Sequence, residues 1–251
     1  MVQPSEQPLG AEHTPAAVRK RLTAPPRASY LRDFVYGAID GAVTTFAVVA
    51  GVEGANLSAN IVIILGIANL VADGFSMAAS NYLGSRAAAQ QREQARREEQ
   101  RQIELVPAGE REEIRQLYAA KGFQGPDLER AVAIITSDRD VWLETMMREE
   151  LGYGSHATNP LRAAASTLIA FITIGFLPLG AFVYDTALPG DVPSPFAWSA
   201  ILTGLAFLAV GALKARVVDQ PAWRSALETL AVGGAAAVFA YVLGAALQRV
   251  A

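Results

Sequence analysis

Residues 61–83 read IVIILGIANLVADGFSMAASNYL, an almost unbroken apolar run that nevertheless holds Asp73. Residues 34–51 form a similar run around Asp40 and read FVYGAIDGAVTTFAVVAG. Each run is long enough to cross a bilayer as a helix, which takes about 20 mostly apolar residues. An ionised side chain inside such a span costs about 2.5–3.5 kcal/mol on insertion scales. The two aspartates therefore predict a pair of membrane helices that use these carboxylates.

Three further apolar stretches follow, so the sequence predicts five transmembrane helices, at about 34–52, 61–83, 161–184, 196–213 and 227–247. Helices are expected because backbone polar groups in lipid must be bonded within their own segment. More than half of the Lys, Arg, Asp and Glu residues lie between Gly84 and Pro160, which predicts a small helical cytosolic domain inserted between helices 2 and 3. The predicted fold is an all-α membrane protein with a disordered cytosolic tail (1–32), helices 1 and 2 (33–84), the cytosolic domain (85–160) and helices 3–5 (161–251).

The basic residues predict the orientation, because Lys and Arg concentrate in cytosolic loops. The N-terminal tail, the start of the insert and the loop before the last span are basic, whereas the connections 53–60 and 185–195 carry no Lys or Arg. This alternation places the N-terminus and the 85–160 domain in the cytosol and the C-terminus outside. The tail has no apolar core typical of a signal peptide, and the composition favours a bacterial inner membrane.

The insert has clear helix boundaries. Residues 84–101 lack Gly and Pro after Gly84, so the second span is expected to continue as one long helix. Pro107 interrupts it, Gly122 ends a short helix, and Gly125-Pro126 starts another. Asp138 opens a last helix, which stops near Gly152.

Polar residues recur every four positions along the second span: Asn69, Asp73, Met77 and Asn81. Residues at this spacing share one helix face. Asp33, Asp40 and Thr44 share a face of the first span in the same way. Counting about 1.5 Å of rise per residue from Asp33 and from Gly84 predicts that Asp40 lies level with Met77 and Thr44 level with Asp73.

These side chains have two interpretations. Asn and Thr commonly join membrane helices by hydrogen bonds. Neither span holds a Lys or Arg, so the aspartates must be protonated or face water or a cation. Carboxylate oxygens with one thioether sulfur suit a borderline transition metal better than Na⁺ or Ca²⁺.

The insert also carries candidate metal ligands, although glutamate runs are typical of solvated helix faces and Met pairs of cores. Met146 and Glu150 share a helix face, and Glu110 and Glu113 form an i, i+3 pair. The only histidines, His13 and His156, do not form a Glu-x-x-His motif, which argues against a ferritin-like di-iron centre.

Three segments resemble the vacuolar iron transporter family: IDGAVTTFAVVAG (39–51), the DGFSM to YL segment (73–83), and WLxxMMxxE (142–150). The resemblance implies a homodimer whose interface carries the transport path, and export of Fe²⁺ or Mn²⁺ from the cytosol in exchange for protons. It implies path positions at Asp33, Asp40 and Met77. It implies metal-binding positions in the cytosolic domain at Glu99, Glu110, Glu113, Met146, Met147 and Glu150.

Two positions depart from the plant members of that family. Asn69 and Gln102 stand where those members carry glutamates, and Asp73 offers a carboxylate one turn from Asn69. The predicted transport path is therefore Asp33, Asp40, Thr44, Asn69, Asp73 and Met77. The predicted cytosolic metal site is Glu99, Gln102, Glu110, Glu113, Met146, Met147 and Glu150.

We predict a divalent metal transporter for iron or manganese homeostasis, with membrane lipid, a second copy of itself, metal ions and protons as partners and no tightly bound cofactor. The alternative is a membrane-anchored metal buffer or sensor without translocation. Nothing indicates an enzyme, because there is no nucleophile–base pair or Gly-rich phosphate loop. Nucleic-acid binding is not expected, since the arginines of the insert are interleaved with glutamates.

Overall fold

The computed structural model describes residues 13–23, 29–154, 159–188 and 192–250. These residues form helices joined by short turns, and no strand occurs among them. In chain order the helices are α1 (Pro15–Thr23), α2 (Leu31–Gly54), α3 (Ala59–Leu105), α4 (Pro107–Ala120), α5 (Gly125–Ser137), α6 (Arg139–Glu149), α7 (Pro160–Gly175), α8 (Leu177–Ala187), α9 (Pro195–Val218) and α10 (Ala222–Gln248).

The described chain divides into two compact units. The apolar unit contains α2, α3 as far as Glu98, and α7 to α10, whereas the charged unit contains α1, the end of α3 from Glu99, and α4 to α6. The long helix α3 confirms the prediction that the second span continues without a break into the charged segment. The boundaries of the predicted tail, membrane and cytosolic domains stay predictions.

The apolar unit has the helices that a membrane protein needs. By length and composition, α2, α3, α9 and α10 can each cross a membrane, and α7 with α8 adds a fifth span if this pair, bent by 48°, is counted as one. Pro178 explains the bend, because proline lacks an N–H and its ring clashes with the carbonyl four residues earlier, here that of Ile174. The Ser199 hydroxyl donates a buried hydrogen bond of 2.6 Å to the Pro178 carbonyl.

Helix α2 is the central element of the apolar unit and packs against α7, α8, α9 and α10. Its glycines permit a very close approach to α7. A methyl group at Gly37 would lie 2.3 Å from the Thr167 carbonyl oxygen, and one at Gly41 would lie 2.4 Å from the Phe171 carbonyl oxygen. These two glycines therefore bring the backbone of the same chain beside Asp40.

Helix α3 joins this unit mainly through side chains. Val62, Leu70 and the half-buried Met77 pack with Phe46 and Phe171 in one core cluster. The opposite side of α3 leaves large apolar side chains exposed, among them Ile64, Val71 and Phe75. Because α2 ends at Gly54, only a short turn containing Asn56 with a left-handed φ of 52° separates the two helices.

In the charged unit α4 packs against α5 and α5 against α6. The helices begin where the sequence predicted: Pro107 and Pro126 lie in the first turns of α4 and α5, and the Asp138 side chain caps α6. Apolar side chains from each helix are buried, including Ile114, Val132, Trp142 and Leu143. Arg111 lies over the Trp142 ring, 5.5 Å from its centre.

The predicted disordered tail needs a correction at Pro15–Thr23, which form the exposed helix α1. Ala, Arg and Lys, which have high helix propensity, dominate this segment. The rest of the predicted tail up to Ala28, residues 1–12 and 24–28, lies outside the described residues.

Candidate functional site

The polar stripes of α2 and α3 face each other in the apolar unit. The Asn69 amide donates hydrogen bonds of 3.3 Å to the Thr44 hydroxyl and 3.5 Å to the Thr45 hydroxyl. Toward the start of α2, the Asn81 amide donates a hydrogen bond of 2.9 Å to the Asp33 carboxylate. Between these two contacts, Asp40 lies close enough to Asp73 for their carboxylates to repel each other.

This register corrects the predicted one by about one helical turn. Thr44 is paired with Asn69 and not with Asp73, and Asp40 is opposed by Asp73 and not by Met77. The prediction took Asp33 and Gly84 as a common level, whereas the structure places Asn81 opposite Asp33. Met77 accordingly lines a cavity together with Asp33 and Tyr36.

Asp40 and Asp73 are half-buried carboxylates. In residues 29–154, 159–188 and 192–250, no Lys or Arg forms an ion pair with either of them. A pair of like charges in apolar surroundings is unfavourable unless a proton or a cation lies between them. The α2–α3 contact therefore has the chemistry of a cation or proton site.

The charged unit brings together four of its seven predicted metal ligands. Glu99 of α3 and Glu110 of α4 lie within hydrogen-bonding reach of each other, as do Glu113 and Glu150. Glu99 and Glu110 are each only 4 % exposed, although glutamate is almost never buried without a partner. Their buried oxygens Glu99 Oε1 and Glu110 Oε2 find no donor among the described residues.

In the glutamate cluster (Glu99, Glu110, Glu113 and Glu150), the surroundings raise the pKa of three members, Glu99, Glu110 and Glu150. Burial, followed by the hydrogen bond and the charge of Glu110, raises the pKa of Glu99 to about 8. Burial also raises the pKa of Glu110, and partial burial with the charges of Glu113 and Glu110 raises that of Glu150. Two facing carboxylates can only accept hydrogen bonds when ionised, so the buried pair of Glu99 and Glu110 needs a shared proton or a cation.

The remaining predicted ligands differ in position. Met146 and Met147 are fully buried in the same unit, whereas Gln102 is exposed, and no described contact joins its side chain to the glutamates. Among residues 13–23, 29–154, 159–188 and 192–250, no three His, Asp or Glu side chains are grouped so that they could hold a metal ion together. The glutamates meet as two pairs, and the two buried oxygens without a donor, Glu99 Oε1 and Glu110 Oε2, have the chemistry of ligands for a divalent cation.

Thr167 is a polar contact that the sequence reasoning missed. Its hydroxyl on α7 accepts a hydrogen bond of 2.7 Å from the Asn81 amide, and the residue is 1 % exposed. The sequence could indicate a role for Asn81, because Asn81 continues the pattern of polar residues at every fourth position of α3. It could not indicate one for Thr167, since a lone threonine in an apolar stretch does not predict a hydrogen-bond partner.

Comparisons with known proteins show which family the chain belongs to. The VIT family model matches residues 31–245. The chain is 32 % identical over 227 residues to a vacuolar iron transporter of Toxoplasma gondii, covering 88 % of this chain and 75 % of the relative. It is 30 % identical over 249 residues to vacuolar iron transporter 1 of Arabidopsis thaliana, covering 99 % and 95 %. For vacuolar iron transporter 1 of Eucalyptus grandis the identity is 31 % over 219 residues, covering 87 % and 86 %.

The family match spans both the apolar helices and the charged unit, so it includes the α2–α3 contact and the glutamate cluster. The relatives are named as transporters, which confirms that the chain is not an enzyme. Together with the apolar helices, the match identifies an integral membrane protein. The chain belongs to the vacuolar iron transporter (VIT) family.

Proposed function

We propose that this protein exports Fe²⁺ or Mn²⁺ from the cytosol across a bacterial inner membrane in exchange for protons. The observation that carries the proposal is the opposition of Asp40 and Asp73 on facing apolar helices without a described basic partner. Ionisable residues inside membrane helices mark ion pathways, because their burial is costly otherwise. The names of the relatives, vacuolar iron transporters, support iron as one substrate.

The path that we propose runs from the cavity beside Asp33 and Met77 to Asp40 and Asp73. Asp33 and Met77 offer a carboxylate and a thioether at the first level, and the two facing aspartates offer oxygen ligands at the next. Such a mixed set suits borderline transition metals. Thr44 and Asn69 close the polar stretch by bonding to each other.

We propose that the glutamate cluster collects metal from the cytosol before it enters the path. Glu99 and Glu110 would supply the oxygens that now lack a donor, with Glu113 and Glu150 as the second pair. The sulfurs of Met146 and Met147, buried in the same unit, would add soft ligands. Metal entry would release the proton shared by Glu99 and Glu110. In the apolar unit, a proton could occupy Asp40 or Asp73 when the metal leaves, which provides a basis for exchange across the membrane.

The arrangement in the membrane is also a proposal. We take α7 and α8 as one bent span, which gives five spans, a cytosolic N-terminus, a cytosolic 85–160 domain and an external C-terminus. The exposed apolar face of α3, with Ile64, Val71 and Phe75, is available for lipid or for a second subunit. A homodimer would place two copies of the polar stripe near each other.

Metal flux into proteoliposomes tests this function. Wild-type protein is expected to carry Mn²⁺ and Fe²⁺ into the vesicles. The flux should be faster when the vesicle interior is more acidic than the outside, because protons then leave as the metal enters. Asp40→Asn should lower the flux at least about tenfold, because the neutral amide cannot balance a divalent charge. Glu53→Gln, at the exposed end of the same helix, is the matched control and should leave the flux unchanged.

Two outcomes would overturn the proposal. Full flux by folded Asp40→Asn would show that the carboxylate opposite Asp73 is not on the path. Metal binding to the wild type without any flux would favour a membrane-anchored buffer or sensor, because binding would then occur without translocation.

A further inference from the structure

A polar cavity opens at the start of α2, beside the middle of α3 and the start of α7. Its volume is about 710 Å³, and its lining includes Asp33, Tyr36, Met77, Asn81 and Thr167. Among the described residues that line it, Asp33 is the only carboxylate, and Arg32 is the only cation, with its guanidinium 5.3 Å from the centre of the Tyr36 ring. Any divalent cation that enters here would therefore meet a single carboxylate, and the orientation of that carboxylate matters.

Asn81 holds one oxygen of this carboxylate. Its Nδ2 donates hydrogen bonds of 2.9 Å to Asp33 Oδ1 and 2.7 Å to Thr167 Oγ1. Its Oδ1 accepts a hydrogen bond of 3.1 Å from the Ser85 hydroxyl. Both amide hydrogens and the amide oxygen are thus engaged, and the opposite amide orientation would turn Oδ1 against the carboxylate. The amide therefore has one favourable orientation.

Thr167 provides a fixed support for this amide. Its hydroxyl lies 3.1 Å from the Ala163 carbonyl, within its own helix, and the residue is 1 % exposed. The close contact of Gly37 with the Thr167 backbone keeps α2 and α7 together at this level. Asp33, Asn81 and Thr167 come from three different helices, so the bonds set the position of Asp33 relative to α3 and α7.

The second oxygen of Asp33 remains available. Within residues 29–154, 159–188 and 192–250, Asp33 Oδ2 has no hydrogen-bond or ion-pair partner. We propose that Asn81 is a positioning residue for the transported cation: it fixes Asp33 Oδ1, so that Oδ2 is the oxygen that binds a divalent metal in the cavity. This inference rests on the proposed transport function and names the residue that sets the affinity of its first membrane site.

A structural role alone would make a different prediction. If the Asn81 bonds only joined helices, removing them would lower stability and leave the apparent metal affinity unchanged. If they position Asp33, the half-saturating Mn²⁺ concentration rises while the maximal rate changes little. A hydrogen bond to a charged group corresponds to a change of about tenfold in that concentration.

The experiment measures Mn²⁺ flux in proteoliposomes over a range of Mn²⁺ concentrations for the wild type and for Asn81→Leu. Asn81→Ala serves as the second variant where the leucine prevents folding, with thermal unfolding in detergent as a check on both. Thr173→Val is the matched control, because the Thr173 hydroxyl bonds only to carbonyls of its own helix. The expected result is a half-saturating concentration about tenfold higher for the Asn81 variants and unchanged for the control.

A double-mutant cycle tests whether Asn81 acts through Asp33. In an Asp33→Asn background the Asn81 substitution should cause no further rise in half-saturation, because the carboxylate that it positions is gone. An additive effect in that background, or an unchanged half-saturating concentration in folded Asn81 variants, overturns the inference while wild-type flux still supports transport. Absence of flux in the wild type overturns the transport function itself.

Discussion

The carboxyl groups of Glu99 and Glu110 lie within hydrogen-bonding reach of each other, and both residues are buried to 4 % exposure. One comes from the end of α3 and the other from the first turn of α4, so the pair closes the corner at Pro107. A buried pair of acids stabilises a fold only while a proton or a cation bridges it. If the proposed metal site is correct, the same two residues control both metal binding and the stability of the charged unit.

Neutralising either glutamate should weaken metal binding. Glu110→Gln keeps the shape of the side chain and removes one charge, and we expect it to raise the dissociation constant for Mn²⁺ at least about tenfold. The check is isothermal titration calorimetry on full-length protein in detergent. Glu112→Gln is the matched control on the same helix, because exposed Glu112 is paired with Arg115 and should leave the affinity unchanged.

Metal should also stabilise the charged unit, because a ligand that binds only the folded state shifts the unfolding equilibrium. We expect Mn²⁺ to raise the unfolding temperature reported by Trp142, which is buried in this unit, in a Trp198→Phe/Trp223→Phe background. A chelator should reverse the shift. An equal shift in Glu110→Gln would contradict the assignment of the site.

The stability of the metal-free protein should fall as the pH rises. The pKa of Glu99 is raised from 4.5 to about 8, so the folded state binds a proton that the unfolded state has released between these values. The resulting stabilisation is fully present below about pH 4.5 and is lost as the pH passes about 8. We expect the unfolding temperature reported by Trp142 to decrease across this interval.

Glu99→Gln supplies the control for this pH dependence. The amide cannot lose a proton, so the decrease should be smaller in this variant. Glu129→Gln, an exposed residue that is paired with Arg115, should retain the wild-type slope. A wild-type unfolding temperature that rises between pH 5 and pH 8 would show that the acid pair is ionised in the folded state, contrary to its burial.

Gly41 should tolerate no side chain. A methyl group there would lie 2.4 Å from the Phe171 carbonyl oxygen, so Gly41→Ala must separate α2 from α7. Overpacking of this kind costs about 1–3 kcal/mol. We expect a lower unfolding temperature in detergent and a reduced flux, since Asp40 is the adjacent residue. Gly234→Ala on α10 is the matched control. A methyl group there would meet no neighbouring atom within 4 Å, so the unfolding temperature and the flux should stay unchanged.

Local signals in the sequence predicted the helices but not their mutual register. Prolines and glycines mark the starts and ends of α4, α5 and α6, and the absence of breakers after Gly84 predicted the length of α3. The register of α3 against α2 depends on the turn around Asn56 and on which side chains pack between the helices. The predicted register counted helical rise from Asp33 and Gly84 as if they lay at the same depth, and such a count includes neither the turn nor the packing. The error was one turn, which is enough to replace Met77 by Asp73 opposite Asp40.

The site residues also divide into those that the sequence could identify and those that depend on tertiary packing. Glu99, Glu110, Glu113 and Glu150 were identified by matching a family pattern, and the structure brings them together. Thr167 lies far from Asn81 in the chain, and only tertiary packing makes it a partner. Likewise, the backbone that lies against Gly37 and Gly41 is that of α7 in the same chain, which only tertiary packing determines.

Asn69 offers the most direct test of the path. Its amide bonds to Thr44 one turn from the opposed Asp40 and Asp73, so Asn69→Glu would add a third carboxylate to an apolar region. A divalent cation should then bind more tightly, and transport requires that the cation also leaves. We expect a lower half-saturating Mn²⁺ concentration together with a lower maximal flux. Asn69→Gln is the control, since it lengthens the side chain equally without adding charge. If Asn69→Glu matched Asn69→Gln in both quantities, the transported cation would not pass this level of α2 and α3.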